Sequence, residues 1–110
     1  MKKSGDCVRQ GDVLLIRTTK KSITKDHREL PRDAGRVVLA YGEVTGHAHV
    51  FRDPGVCLLA REGISDRVVT LDVEALLQHE EHGSIAVPPG TYTVRIQREW
   101  AGEEVRLVQD

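Results

Sequence analysis

Residues 35–52 read GRVVLAYGEVTGHAHVFR, in which two short apolar runs flank a glycine-rich bend. Runs of this length, rich in β-branched residues and bounded by glycine, are typical of strands rather than helices. Similar short runs, separated mostly by Gly, Pro or Asp, recur as VRQGDVLLIRT, VCLLARE, DRVVTLDV, SIAVPPG, TYTVRIQRE and EEVRLVQ. The sequence therefore predicts an all-β fold, a small antiparallel barrel or sandwich.

Two segments depart from this simple pattern. VEALLQHEEH, residues 73–82, contains good helix formers. It also continues an alternation in which Leu71, Val73, Ala75 and Leu77 share one side, and this favours a strand. Residues 18–35 show neither period and predict a long loop with one helical turn at its centre.

The length of 110 residues predicts a single domain spanning residues 1–110. A core this small makes a homodimer plausible, although no pattern locates an interface. No apolar run is long enough to span a bilayer, so membrane association is not expected. The first residues lack the apolar segment of a secretory signal, and we therefore expect a cytoplasmic protein with Cys7 and Cys57 as unpaired thiols.

Charge is unevenly distributed along the chain. Residues 1–36 hold ten Lys or Arg against five acids, whereas residues 37–110 hold six Arg against twelve acids. A basic front half is typical of a segment that contacts phosphates, but interspersed acids also fit a solvated loop. Binding of nucleic acid or protein through Lys20, Lys21, Lys25 and Arg28 is therefore an alternative function.

Four of the five histidines fall in two tight groups. Residues two apart on a strand face the same side, so His47 and His49 are expected to point together. The alternation from Leu71 carries His79 to the inward face, and a bulge at Gly83 would let His82 join it. We expect His47, His49 and His79 to bind one metal ion, with His82, a carboxylate or water completing the site.

Neutral imidazole suits Zn²⁺, the favoured ion, with Fe, Mn and Ni as alternatives. Two histidines plus one carboxylate would instead suit non-haem iron or manganese. Glu81 shares the face of His79 and is the best candidate for a ligand or for the catalytic general base, whereas Glu80 would point the other way on a regular strand. The alternative is that Ala48 and Val50 form the core face, with both nearby histidines in solvent. The predicted function is metal binding, in a metal-dependent hydrolase or cupin-type enzyme that acts on an unidentified small molecule. Whether the chain is an enzyme stays open.

GEVTGHAHVFRD followed by GSIAVPPGTY resembles a reduced form of the two cupin motifs. Asp53 takes the place of the usual Glu, and Thr93 stands where that family has its third histidine. The resemblance implies a metal-binding barrel in which His79 or His82 supplies the third nitrogen.

The chain also resembles small uncharacterised bacterial and phage-encoded proteins. The shared features are Gly46-His47-Ala48-His49, Glu80-Glu81-His82, Pro89-Gly90-Thr91-Tyr92 and Gln97-Arg98-Glu99-Trp100. This second resemblance implies no activity.

Overall fold

A computed structural model of the chain describes residues 7–42 and 46–97. The strands are β1 (Cys7–Gln10), β2 (Val13–Thr18), β3 (Arg28–Glu29), β4 (Val37–Tyr41), β5 (Ala48–Phe51), β6 (Val56–Ala60), β7 (Arg67–Leu71), β8 (Ala75–Gln78), β9 (Ile85–Val87) and β10 (Gly90–Ile96), with a short 3-10 helix at Lys20–Ser22. The predicted strand in EEVRLVQ and the residue Trp100 lie outside the described residues.

The strands form two antiparallel sheets, which confirms the all-β prediction in its sandwich form. The larger sheet has the order β1-β2-β10-β7-β6-β3, and the smaller has the order β4-β5-β8-β9. No closed barrel is found within the described ranges, and the two sheets fit the sandwich alternative. Among the described strands, β1 and β3 are the two edges of the larger sheet, and β4 and β9 are the two edges of the smaller sheet. The two edge strands described for each sheet do not pair with each other. The described residues contain no helix long and apolar enough to cross a membrane.

The core lies between the inward faces of the two sheets. Strand alternation places one set of apolar side chains there from every long strand. Its largest fully buried members are Tyr92, Phe51, Leu15, Leu39 and Leu77. The middle of the sandwich is therefore aliphatic with two aromatic rings.

The segment after β7 corrects one prediction. A continuous strand with Val73 facing inward is wrong, because Val73 is 54% exposed and β7 ends at Leu71. The chain bends at Asp72, whose N–H donates to the carbonyl of Gly55 at 2.9 Å, and then enters the other sheet as β8. Ala75 and Leu77 keep the predicted inward parity, and no helix forms.

The loop predicted at residues 18–35 contains more regular structure than its sequence indicates. Its helical turn lies near the start, at Lys20–Ser22, rather than at the centre. Arg28–Glu29 pair with the outer side of β6 and form the edge of the sheet, and the N–H of Leu30 continues this pairing to the carbonyl of Leu58. Pairing with an existing strand edge, rather than an intrinsic period, decides the conformation here.

Candidate functional site

Four histidines meet at one end of the sandwich, and we call His47, His49, His79 and His82 the histidine cluster. The ring centroid of His79 lies 4.3 Å from that of His49, 4.6 Å from that of His82 and 5.6 Å from that of His47. The rings of His49 and His82 stack at 5.7 Å. The structure thus brings together all four histidines that the sequence nominates.

Strand register explains why the two histidine groups meet. β5 and β8 pair antiparallel, with Val50 opposite Gln78 and Phe51 opposite Leu77. Continuing this register by one residue places the start of β5 beside the end of β8, where His49 and His79 lie. His49 is 3% exposed, so the alternative that leaves it in solvent is wrong. His47 precedes the strand and is half-buried.

His82 approaches through a tight turn after β8. Nδ1 of His79 accepts hydrogen bonds from the backbone N–H groups of Glu81 at 3.0 Å and His82 at 3.3 Å. A nitrogen that accepts N–H groups carries no proton, so the neutral ring of His79 holds its proton on Nε2. His79 therefore organises the turn itself, in addition to lying at the middle of the cluster.

A buried glutamine at the end of β1 orients His49. Gln10 is 2% exposed, and its amide nitrogen donates to the carbonyls of Leu77 at 3.0 Å and Gly83 at 2.9 Å. These two bonds fix which end of the amide is oxygen, and Oε1 lies 2.8 Å from Nδ1 of His49. Nδ1 is consequently the donor, and the lone pair of neutral His49 lies on Nε2.

The turn between β1 and β2 closes one side of the cluster. Gly11 has φ of 62°, and a Cβ built there would lie 2.8 Å from Nε2 of His82. Glycine is required both for the positive φ of this two-residue hairpin turn and for the close approach of the ring. The neighbouring Asp12 places Oδ1 3.7 Å from Nε2 of His49.

The carboxylates differ from the sequence prediction. Glu80 does not point away from the cluster: its Oε1 accepts the N–H of Ala48 at 2.9 Å, because β8 has ended and strand parity no longer applies. That hydrogen bond, followed by one from its own N–H, holds the pKa of Glu80 below its ordinary value. Glu81, the predicted acid or base, is exposed and reaches Nδ1 of His47 with one oxygen at 3.9 Å.

Among the described residues, His47, His79 and Glu80 can each direct one ligand atom so that all three atoms lie within 4.8 Å of one another. This donor set contains two imidazoles and one carboxylate, in place of the three imidazoles expected. Such a set can hold Zn²⁺, Fe²⁺ or Mn²⁺ and leave a coordination position open. His49 lies beside this group with Nδ1 committed to Gln10.

Sequence reasoning missed three members of this region. Gln10, Gly11 and Asp12 occur as QGD in a strand-turn-strand pattern, which signals a hairpin but carries no sign of histidine neighbours. Only the pairing of sheets brings that turn over the cluster.

Other residues named by the cupin resemblance lie elsewhere. Oδ1 of Asp53 accepts the N–H of Leu76 at 3.3 Å. Thr93 pairs with Ile16 and Val68 within the larger sheet. His27 is also outside the cluster, where its Nδ1 accepts the N–H of Thr24 at 2.9 Å. Glu43, a further carboxylate near the histidines in sequence, is outside the described residues.

Comparison with curated proteins finds no match, and comparison with solved structures finds none. One family model matches residues 9–97, a stretch that covers the histidine cluster, the hairpin turn over it and both sheets. The chain therefore belongs to the family described as a domain of unknown function, DUF8820.

Proposed function

We propose that this protein binds one divalent transition metal ion through His47, His79 and Glu80, and that Zn²⁺ is the ion it takes. The observation that carries the proposal is the convergence of these three donor atoms within 4.8 Å, beside two further histidines. Imidazole and carboxylate are both ordinary zinc ligands, and Zn²⁺ tolerates a range of geometries. Sites of this type bind Zn²⁺ more tightly than Fe²⁺ or Mn²⁺.

The protonation state of Glu80 supports metal binding. At His79, metal binding requires that two existing hydrogen bonds break. A lowered pKa keeps Glu80 anionic, as a ligand must be. Nδ1 of His79, however, is occupied by two backbone N–H groups. A metal ion on Nδ1 displaces those groups, and a metal ion on Nε2 moves the ring proton to Nδ1. Either mode breaks these two hydrogen bonds, so metal binding is coupled to a change in the turn at residues 80–82.

Space beside the proposed ligands supports a reactive site rather than a closed structural one. A pocket of about 150 Å³ lies next to His79 and Glu80, lined also by Ala48, Val50, Arg52 and Gln78. That space is large enough to admit water. Zn²⁺ held by His47, His79 and Glu80 would supply Lewis-acid activation of a water molecule for hydrolysis, and we assign Glu81, whose carboxylate lies 3.9 Å from Nδ1 of His47, as the proton carrier. The substrate class we propose is a small molecule.

The test is elemental analysis of the full chain purified without chelator and again after reconstitution with Zn²⁺. We expect about one zinc ion per chain in the parent and in the His27→Ala control, which removes a histidine outside the cluster. The His47→Ala, His79→Ala double variant should hold no zinc. Stoichiometric zinc in that double variant, or none in the reconstituted parent, would refute the proposal.

Two matched carboxylate variants assign the third ligand. Glu80→Gln should weaken zinc binding by about tenfold or more, because the amide replaces an anionic ligand. Glu81→Gln should leave the affinity within about twofold while reducing any hydrolytic rate. Competition with Fe²⁺, Mn²⁺ and Ni²⁺ in the same experiment identifies the preferred ion.

A further inference from the structure

A second polar pocket lies along the β3 edge of the larger sheet. The β1–β2 hairpin is at the opposite edge of that sheet. Two turns flank the β3–β6 edge pair: the N–H of His27 donates to the carbonyl of Thr24, and the N–H of Ile64 donates to that of Arg61. Between them lies a pocket of about 660 Å³ that we call the edge pocket. Its lining residues are Lys25, Asp26, His27, Arg28, Arg61, Glu62 and Ile64.

The edge pocket has an excess of cationic groups that are not neutralised by contact. Lys25, Arg28 and Arg61 face two acids, Asp26 and Glu62. Within residues 7–42 and 46–97, neither acid forms an ion pair with any of these three cations. The lining therefore has one net positive formal charge, which favours an anionic ligand.

Arg61 supplies the observation that points to a ligand. Its Nε is buried and has no hydrogen-bond partner among the described residues. Leaving a buried charged donor unsatisfied is costly, and Nε itself has almost no accessible surface. An acceptor in the pocket therefore meets this guanidinium through its two Nη groups, which form no hydrogen bond within the described residues. Arginine prefers planar, bidentate contacts with carboxylate or phosphate oxygens.

His27 adds a neutral donor to the same pocket. Because its Nδ1 accepts the N–H of Thr24 at 2.9 Å, the neutral ring carries its proton on Nε2. The lining thus combines two guanidiniums, one ammonium and one imidazole N–H. This number of donors exceeds what a single carboxylate accepts and matches the several oxygens of a phosphate.

We propose that the edge pocket binds the phosphate group of a small phosphate monoester, with Arg61 as the bidentate contact and Arg28 and Lys25 as charge partners. The pocket is larger than a phosphate group alone, and Ile64, which is 46% exposed, offers an apolar contact for the rest of such a ligand. A nucleic-acid backbone carries the same chemistry, but its successive phosphates are bound by a row of cations, whereas the edge pocket places three cations around one cavity.

The experiment follows the Nε–H signals of arginine in the ¹⁵N-labelled full chain during titration with inorganic phosphate, at ionic strength matched with chloride. We expect a saturable shift of the Arg61 Nε–H signal. Arg61→Gln should bind phosphate about tenfold or more weakly, because a hydrogen bond to a charged group contributes about 1.5–3 kcal/mol. Lys25→Ala should bind more weakly than the parent, and the matched control Lys21→Ala should bind equally well, since Lys21 does not line the pocket.

A second arm separates the two sources of phosphate. It uses a single-stranded oligonucleotide without a terminal phosphate, which should bind more weakly than a nucleoside monophosphate. Three results would overturn the proposal: a chloride effect equal to that of phosphate, unchanged phosphate affinity in Arg61→Gln, or oligonucleotide binding that Lys21→Ala and Lys25→Ala weaken equally. The Arg61 signal reports on the edge pocket whether or not the histidine cluster holds a metal ion.

Discussion

Gln10 and His49 form a buried pair in which Oε1 of the amide accepts from Nδ1 of the imidazole at 2.8 Å. Both side chains are at most 3% exposed, and the amide nitrogen of Gln10 is held by two backbone carbonyls. The pair therefore connects β1 in the larger sheet with β5, β8 and the turn at Gly83. It also leaves Nε2 of His49 as the nitrogen with the lone pair, which is how buried partners commonly fix a histidine near a metal site.

Replacement of Gln10 by Ala should destabilise the fold by about 2 kcal/mol, because it leaves His49 Nδ1 and two carbonyls without their buried partner. Denaturant unfolding monitored by circular dichroism measures this loss. Gln78→Ala is the control, since within the described residues the amide oxygen of Gln78 accepts from the exposed Arg52 alone, and it should cost less than about 1 kcal/mol. Equal losses of unfolding free energy in the two variants would show that the buried hydrogen bonds of Gln10 stabilise the fold no more than the exposed one of Gln78.

Gly11→Ala should destabilise the protein more than Gly35→Ala does. Both glycines have positive φ, of 62° and 80°, so each substitution carries a backbone cost of about 1 kcal/mol. A Cβ at Gly11 also meets Nε2 of His82 at 2.8 Å and Cε1 of the buried His49 at 3.1 Å, whereas a Cβ at Gly35 meets nothing within 4 Å. The difference between the two midpoints of denaturant unfolding therefore reports the contacts with these two imidazole rings. Equal midpoints would mean that both rings accommodate the Cβ at no cost.

Tyr92→Phe should lower the free energy of unfolding by about 1–2 kcal/mol. The hydroxyl of the fully buried Tyr92 donates to the carbonyl of Pro88 at 2.8 Å and accepts from the guanidinium of Arg17 at 2.9 Å. Tyr41→Phe is the control: its hydroxyl donates to Asp33 at the surface, and the expected loss is under about 0.5 kcal/mol. Thermal and denaturant unfolding of both variants distinguish the buried bond from the exposed one.

Cys57 should react slowly with an alkylating reagent at pH 8. Burial, followed by a hydrogen bond with Glu29, raises the pKa of its thiol, so the reactive thiolate is scarce at that pH. Because its pKa is raised in the folded state, the Cys57 thiol contributes stability that is fully present below the ordinary thiol pKa. That contribution is lost as the pH rises through the raised pKa. The alkylation rate of the Cys7→Ser variant, followed by mass spectrometry, measures Cys57 alone.

Two comparisons test the cause of the slow reaction. Cys57→Ser leaves only the exposed Cys7, which should react faster than Cys57 at the same pH. Adding Glu29→Gln to the Cys7→Ser variant removes a negative charge beside Cys57 and should speed its alkylation. A rate for Cys57 that equals that of Cys7 and ignores Glu29 would contradict the assignment.

Local sequence determined the class of fold and most of the strands. Short β-branched runs separated by glycine, proline and aspartate favour β-strands. Strand alternation then correctly placed Ala75 and Leu77 inside. The same alternation failed at Val73, because parity persists only while a strand continues and the chain changes sheets there. The two-residue strand at Arg28–Glu29 has no local signal, since an edge partner forms it.

The histidines of the candidate site were also readable, because four histidines in two groups are unusual in a chain with five. Its geometry was not. The approach of the two groups depends on the register of β5 with β8, and Glu80 turns toward Ala48 only because β8 ends before it. Gln10 and Gly11 lie in the site because the β1 edge of the larger sheet packs against the smaller sheet. Sequence periodicity describes neighbours along one strand, whereas hydrogen bonding between strands and burial between sheets decide which distant side chains meet.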